Sequence, residues 1–104
     1  MKKIMVRYKV KADRAAENER YVAAVFEQLE REKPVGLRYA SFKLADGRSF
    51  VHLVAIDAER NPLRELSAFK AFVAQIGERC EEGPHTEELQ EVGAYGVFAD
   101  SAPS

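Results

Sequence analysis

The stretch Phe50-Val51-His52-Leu53-Val54-Ala55-Ile56 decides the fold. A strand of this composition is apolar on both faces, and each face needs cover from water. The rest of the chain offers two helical segments, enough to cover one face of a small sheet. The other face is therefore expected to meet a second copy of the chain.

Upstream of this strand, Leu37 to Leu44 reads as its antiparallel partner, joined through Asp46-Gly47 as a two-residue type I′ turn and continued by Ser49 to Ile56. Near the start, Ile4, Val6, Tyr8 and Val10 alternate with Met5, Arg7, Lys9 and Lys11, a strand period. Tyr21, Val22, Val25, Phe26 and Leu29 recur at helical spacing, with Asp13 placed to cap the helix and Pro34 and Gly36 to end it. Asn61-Pro62 opens a second helix with the stripe Leu63, Leu66, Phe69, Phe72, Val73 and Ile76, and Ser67 can cap a second segment of it. Gly83-Pro84 reads as the helix exit, residues 85 to 91 as a charged loop, Val92 to Phe98 as the last strand and residues 100–104 as a disordered tail. The predicted order is β-α-β-β-α-β. It specifies an α+β, ferredoxin-like plait in one domain, residues 1–99, with a four-stranded antiparallel sheet and two helices on one face.

In its opening strand Ile4 to Lys11, the run Gly36-Leu37-Arg38-Tyr39, the apolar third strand and the Asn61-Pro62-Leu63 helix start, the chain resembles the dimeric α+β barrel superfamily. That group contains the antibiotic biosynthesis monooxygenase-like proteins. The resemblance implies a homodimer in which two sheets pack face to face. Members range from cofactor-independent oxygenases to haem-degrading enzymes and proteins of no known activity. The chain has no Trp and no match to the Asn-Trp-His set of the haem-degrading branch, which argues against that activity. What remains implied is a small enzyme without a bound cofactor that orients an aromatic or quinone-like molecule for proton abstraction and reaction with oxygen. Two alternatives stay open: a non-catalytic small-molecule-binding or accessory dimer, and a purely structural dimer.

Composition removes other classes. Sixteen basic residues are scattered among seventeen acidic ones for a net charge of −1, so no phosphate-tracking surface and no nucleic-acid partner are expected. The Met-Lys-Lys start is followed by only Ile4-Met5-Val6 before Arg7, too short for a signal sequence, and no run approaches membrane-spanning length. A soluble, cytoplasmic protein is expected. Cys80 has no partner for an internal disulfide, and with His85, Glu81, Glu82, Glu87 and Glu88 it lacks the second ligand pair of a zinc signature, so no metal is expected.

Register about the Asp46-Gly47 turn sorts the side chains by face. It pairs Ser41 with His52 and Tyr39 with Val54, and directly opposite residues share a face. The small apolar set Ala40, Phe42, Val51, Leu53 and Ala55 is expected against the helices, with Ile4, Val6 and Val10. The set Tyr39, Ser41, Lys43, Phe50, His52, Val54 and Ile56 is expected on the opposite face, with Met5, Arg7 and Lys9. Arg7, Tyr39, Ser41 and His52 would then converge away from the helices as a ligand-binding group. His52 is the candidate general base and Arg7 the candidate holder of a carboxylate or oxyanion. The competing expectation is that these polar groups only satisfy one another in a dimer interface.

Overall fold

The computed structural model describes residues 1–57 and 59–97. Strand β1 (Lys2–Val10) leads into helix α1 (Ala15–Glu32), followed by β2 (Leu37–Lys43) and β3 (Ser49–Ile56). A 3-10 turn (Pro62–Glu65), α2 (Ser67–Ala74), the single-turn α3 (Ile76–Arg79) and β4 (Cys80–Leu89) complete the chain. The sheet is antiparallel, in the order β2-β3-β1-β4, with the helices on one face: the ferredoxin-like plait. No helix among the described residues is long and apolar enough to cross a membrane.

Local chemistry explains most element ends. Asn61 caps the 3-10 turn by accepting from the Leu63 N–H at 3.0 Å, with Pro62 in the first position. Helix α1 has Arg14 at its N-cap position and no side-chain cap, so Asp13 does not play that part. The helix break near Ser67 is present, but the cap comes from elsewhere: Gln28 of α1, buried, accepts from the Ala68 N–H at 2.9 Å. This bond ties the two helices together at the N-terminus of α2.

The β2–β3 connection differs from a two-residue turn. Leu44 N donates to Ser49 O and Gly47 N to Leu44 O, which leaves four residues in the loop. Only Gly47 there has a positive φ, +74°, whereas a type I′ turn requires two such residues. Asp46 replaces the missing geometry by accepting from the Arg48 and Ser49 N–H groups and from Ser49 Oγ, and these bonds hold its carboxyl down at about 2. A four-residue loop preserves the parity of a two-residue one, so the register is as expected: Ser41 opposite His52 and Tyr39 opposite Val54.

Two expectations are corrected. The last strand is Cys80–Leu89, the segment read as charged loop, whereas residues 92–97 lie outside the sheet with Val92 and Tyr95 exposed; Phe98 and the expected tail 100–104 fall outside the described residues. At the sheet edge, β4 needs only one ladder with β1, and its carboxylates stay in water, so it carries no apolar alternation to read. The second correction concerns the faces of β2 and β3. The core consists of Tyr8, Val10, Val25, Phe50, Val54, Ile56, Leu63, Leu66 and Phe72, so the large aromatic and β-branched face meets the helices and the smaller one is open. The bulkier set wins because it removes more apolar area from water against the helix stripe.

Candidate functional site

The β1–β3 register places Val6 opposite His52, Ile4 opposite Val54 and Arg7 opposite Val51. Ile4, Val6 and Tyr8 therefore share the helix-facing side with His52, and Arg7 is on the other. The structure brings Tyr39, Ser41 and His52 together under the helices and leaves Arg7 apart, exposed beside His85 and Glu87 of β4.

His52 is 3% exposed, ringed by Tyr8, Tyr39 and Phe72 at centroid distances of 5.4, 5.7 and 5.5 Å. A buried imidazole must satisfy both nitrogens. Nε2 lies 2.8 Å from Tyr8 Oη and Nδ1 2.7 Å from Tyr39 Oη, while Ser41 Oγ is 3.4 Å from Nε2, at the edge of hydrogen-bonding range. The chain of partners continues inward. Asn18 Nδ2 donates to Tyr8 Oη at 2.8 Å, and Asn18 Oδ1 accepts from Arg79 Nε at 3.1 Å. Arg79 is fully buried, donates to the Phe72 carbonyl at 2.8 Å and lies over the Tyr21 ring at 4.3 Å; its Nη1 has no partner among the described residues.

Arg79 only donates, which fixes the Asn18 amide; beyond it, the assignment that gives the buried Tyr8 hydrogen an acceptor sets the remaining directions. Asn18 must turn its oxygen to Arg79 and its amide N–H to Tyr8. Tyr8 then has its own hydrogen to give, and His52 Nε2 is the acceptor. The neutral imidazole carries its proton on Nδ1 and donates it to Tyr39 Oη. Tyr39 is left with a hydroxyl hydrogen for a partner outside the chain of bonds. Burial lowers the His52 pKa to about 4, so the ring is neutral at pH 7. Burial also pushes the Tyr8 and Tyr39 phenols well above their ordinary values, so both remain protonated.

Tyr8, Tyr39 and His52 line a cavity of about 600 Å³ between the sheet and the 3-10 turn, α2 and α3. Its walls include Ile4, Val6, Val54, Leu63, Phe69 and Phe72. This is the size and composition of small-molecule sites: apolar walls with a few convergent polar groups. Elsewhere, Cys80 is partly buried with its thiol pKa raised by that burial, and among the described residues no three His, Cys, Asp or Glu side chains are placed to hold a metal ion together.

Tyr8, Asn18 and Arg79 belong to this site and escaped the sequence reading. Asn18 left the clearest trace, standing three and four residues before Tyr21 and Val22 on the buried stripe of α1, where an unpaired amide would be costly.

No protein-family profile matches the chain, and no curated protein matches it at a significant level. Solved structures do. A protein proposed to be an antibiotic biosynthesis monooxygenase, from Nitrosomonas europaea, superposes with a TM-score of 0.74 at 18% identity, covering 89% of this chain and 100% of that one. Rv0793 from Mycobacterium tuberculosis gives 0.72 at 18% identity, with 89% and 96% covered. A further proposed antibiotic biosynthesis monooxygenase, from Caulobacter crescentus CB15, gives 0.69 at 21%, with 88% and 90% covered. At these identities the likeness is one of fold: the chain has the ferredoxin-like fold of antibiotic biosynthesis monooxygenase-like proteins.

Proposed function

We propose that this chain is a homodimeric, antibiotic biosynthesis monooxygenase-like protein whose sheet–helix cavity takes up a small aromatic or quinone-like molecule and presents it to dioxygen without a bound cofactor. The observation that carries this is the cavity itself, with one ordered hydroxyl donor set among apolar walls. A ketone oxygen accepting from Tyr39 Oη becomes a better electron sink for loss of a proton from the adjacent carbon, and a phenol there gives up its own O–H proton more readily; in either case the proton passes to water at the solvent side of the cavity. Negative charge growing on that oxygen meets a donor already oriented by His52 Nδ1–H in a low-dielectric site. Both His52 nitrogens are engaged and the ring has little affinity for a proton, so its part is to hold and polarise Tyr39.

Dioxygen uptake above autoxidation, measured with a panel of hydroxynaphthalenes, tests the reading. Tyr39→Phe should lower the rate by about 10- to 100-fold while the protein stays folded. Uptake equal to autoxidation for every compound would remove the oxygenase. The absence of a good proton acceptor among the lining residues favours a second reading, a binding protein without turnover. Its signature is saturable binding with no oxygen uptake.

The dimer is proposed through the open sheet face. Met5, Ala40, Phe42, Val51 and Leu53 lie there without helix cover, Phe42 being 51% exposed. Such a face suits a second sheet.

A further inference from the structure

We infer that the ligand of this cavity is an organic acid, a ring-sized apolar body whose carboxylate is held at the cavity mouth by Arg64 and Lys70. The inference rests on the proposal that the cavity takes up a small molecule, and adds its charge. Arg64 and Lys70 are the two charged side chains among the lining residues; no Asp or Glu lines the space. Both are exposed, so they mark the solvent side of the cavity. Neither makes an ion pair among the described residues, whereas nearby Arg60 is paired with Glu65 at 3.0 Å.

The two polar poles of the cavity sit on opposite layers. Tyr39 and His52 project from the sheet, and Arg64 and Lys70 come from the 3-10 turn and α2 above it. A ligand with a hydroxyl or keto oxygen at one end and an anion at the other satisfies both while its rings fill the apolar space between. Two cations over low-dielectric walls with no carboxylate to offset them attract anions from solution. A neutral ligand uses neither. The bland alternative is that the two aliphatic stems merely cover apolar surface with their charged ends in water. That alternative predicts no charge preference.

The matched probes are 6-hydroxy-2-naphthoate and its methyl ester, which share rings and hydroxyl and differ in charge. Calorimetric titration at pH 7.5 and low salt should show the acid binding about tenfold tighter than the ester, with the difference shrinking in 0.3 M NaCl. The double variant Arg64→Gln, Lys70→Gln should lose about tenfold for the acid and less than twofold for the ester. Equal affinities in the unsubstituted protein, or equal weakening of both probes in the variant, would overturn the inference and leave the cavity reading standing. Failure of both probes to bind at millimolar concentration would overturn both.

Discussion

At the scale of single residues, the centre of the molecule is a line of hydrogen bonds that begins on a buried cation and ends on a hydroxyl facing a cavity. Its proton order follows from Arg79 having no acceptor atom and from the buried Tyr8 hydrogen needing one. Because the native pKa of His52 is about 4, below the ordinary value near 6.5, the unfolded chain takes up the proton first as pH falls. The contribution is fully present above pH 6.5 and is lost as pH drops toward 4. It amounts to about 3 kcal/mol. Melting curves from pH 7.5 to 4.5 should therefore fall more steeply for the wild type than for His52→Gln; parallel curves would show that His52 is not held neutral by the fold. Tyr8→Phe leaves the Asn18 N–H without its acceptor and His52 Nε2 with only the 3.4 Å contact to Ser41 Oγ, and should cost about 1–3 kcal/mol, read by urea denaturation. Hairpin parity was enough to place Tyr39, Ser41 and His52 together from the sequence. Which face they share depended on comparing two apolar faces that were both plausible against helices. Asn18 and Arg79 come from other elements, and their meeting with Tyr8 is a product of packing that no local pattern encodes.

At the scale of elements, β1, α1, β2 and β3 were legible because each buries one face and so carries a period. Strand β4 was not, since its side chains are mostly exposed and backbone pairing alone holds it to β1. The run Val92 to Phe98 reads as the better strand for that reason. One residue of β4 is nevertheless tightly constrained. Gly83 has a φ of +90°, and a Cβ there would lie 2.9 Å from Arg7 O and 3.1 Å from Tyr8 Cα, at the irregularity in the β1–β4 ladder. Gly83→Ala should destabilise the protein by about 2–3 kcal/mol through backbone strain and this clash. The companion Gly77→Ala, in open space, should be close to neutral. A second device of this scale is the cap lent by Gln28 to α2. Its truncation to Ala should cost about 1 kcal/mol and raise amide exchange at Ala68, because an orphan N–H at a helix start loses its acceptor.

At the scale of the whole molecule, the sheet has two unlike faces with two proposed uses. The helix side encloses a cavity with an oriented donor, and the open side offers Phe42, Val51 and Leu53 to a second copy. Leu53→Lys on the open face should shift sedimentation from dimer to monomer while leaving the secondary structure intact; a monomeric wild type at micromolar concentration would remove the dimer. The two-layer plait and the need for cover on both sheet faces could be read from Phe50–Ile56, whereas the location of the cavity, under the helices rather than toward a partner, required the observed faces. That location is the central claim. It is tested most directly by titrating methyl-labelled protein with 6-hydroxy-2-naphthoate and following the NMR signals of each layer. The account predicts shifts among the cavity-lining methyls, Ile4, Val6, Val54, Ile56, Leu63, Val73 and Ile76, with Val51 and Leu53 unmoved. Shifts at Val51 and Leu53 with the cavity methyls unmoved would contradict it.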